Sequence, residues 1–127
     1  MADIDKFVRD LNGAWRDHRY EDLYEYFHTD VVMLAPGSSE PIVGIEPMVQ
    51  SYRQFESIGT THAFDIRNLT VYEFGAVSMC HMRFDVDYEM ESGRFREEGL
   101  EVYAIDTSDT APKVVWRTQI VMNPSDA

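Results

Sequence analysis

Behind Asp3, the residues Ile4, Phe7, Val8, Leu11, Ala14 and Trp15 recur at the three-and-four spacing of a helix with one apolar face. Asp3 can accept from the free N–H groups of a first turn, so the pattern predicts a helix starting there. Glu21 to Phe27 predicts a second, short helix, with acidic Glu21 and Asp22 at its positive end and Leu23 and Phe27 on one face, ending near His28. The run Asp30 to Ala35 is short, apolar and β-branched, and it stops at Pro36-Gly37-Ser38-Ser39-Glu40-Pro41, which reads as a strand followed by a loop. Pro47 in a first turn, Met48, Val49, Tyr52 and Phe55 behind it, and Gly59 after the last turn mark a third helix.

Four long extended runs follow, near 61–73, 76–90, 94–107 and 113–122. They are joined by Gly75, by Glu91-Ser92-Gly93 and by the polar stretch Thr107 to Pro112, connections short enough to favour an antiparallel meander. Helices first and strands later predict an α+β fold, with the helices on one face of a strongly curved sheet. No repeat or low-complexity segment interrupts it, and only Met1-Ala2 and Asn123 to Ala127 are expected to fray. The chain reads as one domain over residues 1–127.

In the run 76–90, Cys80, Met82, Phe84, Val86 and Tyr88 fall on one face and His81, Arg83, Asp85 and Asp87 on the other. Its neighbours alternate less strictly, with Leu100, Val102 and Ala104 opposite Glu101, Tyr103 and Ile105, and with Trp116, Thr118 and Ile120 opposite Arg117, Gln119 and Val121. Two arrangements satisfy this pattern. In one, the apolar face packs on the helices and the polar face is solvated. In the other, the polar face lines a pocket under the helices and the apolar face is buried against a second subunit.

Composition narrows the function classes. With 44% apolar, 13% aromatic and 27% charged residues, the chain is that of an ordinary globular domain. Eleven basic against 23 acidic residues give a net charge of -12, which repels phosphate backbones and anionic membranes, so no nucleic-acid or membrane partner is expected. A single cysteine, Cys80, has no intramolecular disulfide partner, and no signal-like start or long apolar stretch occurs; a cytoplasmic protein is the expectation. His81, the most conspicuous histidine, has no second His or Cys at ligand spacing, so no metal and no cofactor is expected. His18, His28 and His62 read as helix-end or strand-end residues, and Cys80 as an inert packed thiol. No phosphate loop, nucleophile elbow or HExxH motif is present.

The element order, together with Leu23 to Phe27 before Asp30-Val31-Val32, the stretch Pro36 through Gly44-Ile45-Glu46, and Lys113-Val114-Val115-Trp116-Arg117, resembles the nuclear transport factor 2-like superfamily, specifically its SnoaL-like branch. That resemblance implies a cone-shaped, cystatin-like roll: three N-terminal helices cover the concave face of a curved, mixed or antiparallel sheet over a pocket, and the convex face commonly forms a two-fold dimer. It favours the arrangement with a polar pocket. The superfamily includes isomerases, epoxide hydrolases, cyclases, dehydratases and a non-catalytic kinase association domain, so the fold does not assign a reaction.

Comparison by residue excludes one activity. Val32-Met33-Leu34-Ala35-Pro36 is similar to the ketosteroid isomerase segment whose base is an Asp before the proline, but Ala35 stands there, and Leu11 falls where the isomerase has an oxyanion-stabilising Tyr. Arg83 and Asp85 with Glu101 and Arg117 loosely echo the Asp-Arg-Asp set of the fold's epoxide hydrolases, and the association domain carries an Arg on the strand equivalent to that of Arg83. The reading is therefore a homodimeric small-molecule-binding protein. Its expected ligand-binding residues are Trp15, Met33, Phe55, His81, Arg83, Asp85, Glu101, Tyr103, Arg117 and Gln119. A pair of arginines suits a carboxylate-bearing ligand. The alternative is a small hydrolase, isomerase, dehydratase or cyclase using Asp85 or Glu101 as acid or base, with Tyr103 or His81 as helper; a pure assembly domain is a third possibility. The dimer is expected on the apolar face bearing Met82, Phe84, Val86, Val102, Trp116 and Ile120.

Overall fold

The computed structural model describes residues 3–122; the ends expected to fray, Met1-Ala2 and Asn123 to Ala127, lie outside them. Helix α1 spans Ile4–Arg16 and begins as its sequence requires, with the Asp3 carboxylate accepting from Lys6 N–H at 3.0 Å. Its exposed side carries two i,i+4 ion pairs, Lys6–Asp10 and Arg9–Asp5, while Ile4, Val8, Leu11, Ala14 and Trp15 are buried. Helix α2 spans Ile45–Ile58 and buries Met48, Val49 and Tyr52. The chain enters it through Gly44, whose φ of 106° is a left-handed conformation open to glycine.

The second of the three expected helices is corrected. Tyr20–Glu25 is a single short 3₁₀ segment, and Phe27 belongs to a strand. The reason is tertiary: Phe27 pairs with Val114, the Tyr26 carbonyl accepts from Val114 N–H at 2.8 Å, and a six-residue segment cannot hold its next turn against that competition. Leu23 is still fully buried, so the apolar pattern was correct where the element type was not.

Strand β1 (Phe27–Leu34) is followed by the two-residue β2 (Ile42–Val43) and, after α2, by β3 (Gly59–Phe74), β4 (Val77–Met90), β5 (Gly93–Asp106) and β6 (Lys113–Val121). They form one six-stranded sheet in the order β2-β1-β6-β5-β4-β3. All neighbours are antiparallel except β1 and β6, so the α+β fold has a mixed sheet. The meander β3 to β6 matches the four extended runs of the sequence, whereas β2 had no periodic signal to announce it. No described helix is long and apolar enough to cross a membrane.

The core lies between the helices and one face of this sheet. Cys80, Met82, Phe84 and Val86 of β4 point into it, beside Tyr103 and Ile105 of β5, Val114 of β6 and Val31 and Met33 of β1. Burial pushes the Cys80 thiol up to about 12, which leaves it protonated and unreactive at neutral pH. This arrangement corrects the expected dimer face. Met82, Phe84 and Val86 are covered by the chain's own helices, while Val102 and Trp116 project from the opposite, outer face. The physical reason is register. Met90 pairs with Gly93 across the two-residue turn Glu91-Ser92, which puts Cys80 opposite Tyr103, Met82 opposite Glu101 and Phe84 opposite Gly99. The apolar alternation of β4 is thus continuous with the mixed alternation Tyr103, Glu101, Gly99 of β5.

Gly99 is required by this packing. A Cβ there would stand 2.8 Å from Cε1 and Cε2 of the Phe84 ring, whereas a Cβ at Gly13 on α1 meets nothing within 4 Å. Gly99→Ala is expected to lower stability by about 1–3 kcal/mol through overpacking. Gly13→Ala is expected to raise it by about 0.5–1 kcal/mol through helix propensity. Urea denaturation of both variants beside the wild type checks the opposite signs.

Candidate functional site

Between the helices and the inner face of the sheet lies a cavity of about 380 Å³. Helix α1 contributes Asn12 and Trp15, and α2 contributes Ser51, Tyr52 and Phe55. The strands contribute Phe64, Phe84, Val86 and Tyr88 from β3 and β4, Glu97, Gly99 and Glu101 from β5, Arg117 and Gln119 from β6, and Met33 from β1. The aromatic part is built around Trp15, whose ring centre lies 5.2 Å from Phe64, 5.9 Å from Tyr52 and 6.5 Å from Phe55. Phe64 lies 5.0 Å from Phe84. Trp15 is held by its own helix: its Nε1–H donates to Asn12 Oδ1 at 2.9 Å, and Asn12 Nδ2 donates to the Val8 carbonyl at 2.9 Å and to the Tyr103 hydroxyl at 3.4 Å.

The polar part is an ion pair withdrawn from water. Arg117 Nε donates to Glu101 Oε2, and the two side chains are only 7% and 3% exposed. Arg117 Nη1 reaches the sulfurs of Met33 and Met48 at 3.4 and 3.5 Å, both weak acceptors. The guanidinium carbon sits 4.5 Å from the centre of the Tyr52 ring, a cation–π contact strengthened by desolvation. Burial pushes the Glu101 carboxyl above its ordinary range, and the Arg117 guanidinium opposes that shift. Desolvation works against the Arg117 charge too, but Glu101, Tyr52 and Tyr103 outweigh it, so Arg117 stays protonated. Burial also drives the Tyr52 and Tyr103 hydroxyls far above their usual values, and the Tyr52 hydroxyl is buried with no hydrogen-bond partner among the described residues.

The expected site residues separate into two groups. Trp15, Met33, Phe55, Glu101, Arg117 and Gln119 all line the cavity. Tyr103 is fully buried behind it, accepting from Asn12. His81, Arg83 and Asp85 do not belong there. They alternate with the inward residues of β4 and so project from the outer face, where Arg83 pairs with Glu98 at 2.7 Å, Asp85 pairs with Arg67, and His81 is exposed. The expectation of a pair of arginines facing one carboxylate-bearing ligand is corrected by the same parity, since Arg83 lies outside and Arg117 inside. Asn12, Tyr52 and Glu97 went unrecognised, although Asn12 interrupts the apolar stripe of α1 four residues after Val8, where a polar side chain signals a buried network. Among the described residues, no cluster of His, Cys, Asp or Glu is arranged to hold a metal ion.

The pair makes a quantitative expectation. Arg117→Met leaves the Glu101 carboxylate buried and unpaired, which is expected to cost about 3–5 kcal/mol at pH 8. Without Arg117 to oppose it, burial raises the folded-state pKa of Glu101 further above the model-peptide value of 4.5. The folded variant then binds a proton that the unfolded chain has released, so its stability falls as pH rises from about 4.5 toward that raised value. Chemical denaturation at pH 5 and pH 8 is expected to show a smaller penalty at the lower pH; an equal penalty at both would count against a buried, unpaired carboxylate.

Comparison with known proteins places this geometry in a family. No curated protein matches the sequence. Many solved structures share the fold at low identity, among them the following three. A protein with a cystatin-like fold from Caulobacter vibrioides superposes with a TM-score of 0.81 at 12% identity, over 95% of this chain and 88% of that one. The beta subunit of the benzoate 1,2-dioxygenase from Burkholderia mallei gives 0.74 at 20%, over 99% and 94%. A ketosteroid isomerase-like protein from Erwinia carotovora atroseptica gives 0.79 at 13%, over 95% of each. Residues 4–99 match the family model described as the SnoaL-like domain, and with most of its length so matched the chain belongs to that family.

Proposed function

We propose that this domain is a homodimeric small-molecule-binding protein whose cavity takes an apolar, ring-containing ligand and meets one of its polar atoms at Arg117. The observation that carries the reading is the combination of an aromatic wall with a desolvated Arg117–Glu101 pair inside one cavity of about 380 Å³. That volume and that balance of many apolar groups with few convergent polar ones are those of ligand sites. A second reading, an enzyme of hydrolase, isomerase or dehydratase type, rests on Glu101, which alone of the four candidate acids, bases and helpers lines the cavity. Burial suits it to proton transfer. Its bond to Arg117 ties up the carboxylate that such a step needs, and this favours binding over turnover. A cytoplasmic setting completes the reading, since Cys80 is buried and has no intramolecular partner.

The test uses Trp15 as reporter in a Trp116→Phe background, since the chain has two tryptophans. A panel of naphthalene- and indole-sized compounds is expected to change Trp15 fluorescence and to raise the melting temperature. Saturation at about 100 times Kd corresponds to about 2.7 kcal/mol of added stability. Compounds that leave both signals unchanged throughout the panel would overturn the reading.

The dimer is proposed on the outer face of the sheet, with a second copy as occupant. Trp116, Tyr72 and Phe74 are exposed there, continuous with Val102 and Met79. Charge argues for a second copy. The chain carries -12 overall, yet much of the charge on this face is paired internally, as Arg67–Asp85, Arg83–Glu98 and Arg94–Asp87, so two copies meet there with little surplus of like charge. Light scattering is expected to give twice the monomer mass at micromolar concentration, and Trp116→Glu is expected to shift it to the monomer. A monomeric wild type would remove this part of the proposal.

A further inference from the structure

The cavity's unused hydrogen-bonding capacity and its charge together define a ligand class. Arg117 carries five N–H donors. One serves Glu101, the Nη1 group has only thioether sulfurs, and Nη2 has no hydrogen-bond partner among the described residues. Gln119 lies two residues along β6 on the same face, directly across from Glu101, and its side-chain amide likewise makes no hydrogen bond among the described residues. Two neighbouring donors therefore line one end of an aromatic cavity. Charge limits what can reach them. Arg117 and Glu101 cancel, and a further carboxylate, Glu97, lines the same cavity, where it accepts from the Tyr88 hydroxyl at 2.9 Å.

We propose that the cavity selects uncharged aromatic ligands bearing a carbonyl-type acceptor, received by Arg117 and Gln119, and rejects carboxylates. The proposal rests on the small-molecule reading above and replaces the carboxylate-bearing ligand, which needed Arg83 as a second cation inside the cavity. An anion entering this site gives up its hydration beside two carboxylates and finds an arginine that is already neutralised. A ketone carbonyl loses far less on leaving water and satisfies donors that are otherwise left open.

Three probes of the same shape separate the contributions: 2-acetylnaphthalene, 2-naphthoate and 2-isopropenylnaphthalene, titrated calorimetrically at pH 8 into the wild type, Gln119→Met and Glu97→Gln. The ketone is expected to bind about tenfold tighter than the hydrocarbon, as one well-made hydrogen bond to a charged donor allows, and tighter than the carboxylate. Gln119→Met is expected to shrink the ketone's advantage over the hydrocarbon severalfold while leaving the hydrocarbon's affinity in place. Glu97→Gln is expected to strengthen naphthoate selectively. Naphthoate binding as tightly as the ketone in the wild type, or an unchanged ketone-to-hydrocarbon ratio in Gln119→Met, would overturn the proposal and leave the small-molecule reading standing. Failure of all three probes to bind would overturn both.

Discussion

An arginine cannot shed its proton when it is buried, and the inner face of this sheet is arranged around that constraint. Arg117 stands on β6, between β1 and β5. Each surrounding element answers it differently: β5 with the Glu101 carboxylate, β1 and α2 with the sulfurs of Met33 and Met48, and α2 again with the face of Tyr52. Only the first is a strong partner. The soft contacts occupy space without satisfying the guanidinium, and this is why the cavity keeps a polar end in an otherwise aromatic chamber. Helix α2 is thereby tied to the sheet by a charge as well as by hydrophobic packing.

How legible this was depends on which level is asked. The meander was plain, because long alternating runs punctuated by Gly75 and by Glu91-Ser92-Gly93 leave little choice of element type. The faces were legible strand by strand but were joined wrongly across strands. Matching Met82 to Val102 by hydrophobicity put the apolar residues together; the two-residue turn at Glu91-Ser92 instead pairs even-numbered positions of β4 with odd-numbered positions of β5. Turn length therefore carried the answer that residue type obscured, and Arg83 and Asp85 followed their strand to the outer face. Glu101, Arg117 and Gln119, on the strands whose alternation was least clean, were the polar residues that turned inward.

Other features could not be extracted from local pattern. Tyr20–Glu25 has helical spacing over too few residues for spacing to decide its winding, and the parallel strand from β6 settled where it stops. Tyr52 sits at an ordinary apolar position of α2, so its role beside Arg117 emerges only when β6 is brought under the helix. Asn12 was visible as a polar residue within an apolar stripe, but its partners, Trp15 Nε1 and the Tyr103 hydroxyl, come from the same helix and from a strand 91 positions away.

The place of β6 in the sheet has a kinetic meaning. The hairpins β3–β4 and β4–β5 close over two-residue turns, so each forms with little loss of chain entropy and needs nothing from the rest of the molecule. By contrast, β6 must enter between β5, its sequence neighbour, and β1, which lies near the other end of the described chain. That parallel pairing has the largest sequence separation in the sheet and is the costly step in ordering it. Until it is made, Glu101 stands on an uncovered strand where water can hydrate its charge. Arg117 itself arrives by the β5–β6 pairing, so the parallel pairing adds cover to an ion pair that a hairpin between sequence neighbours has already brought together.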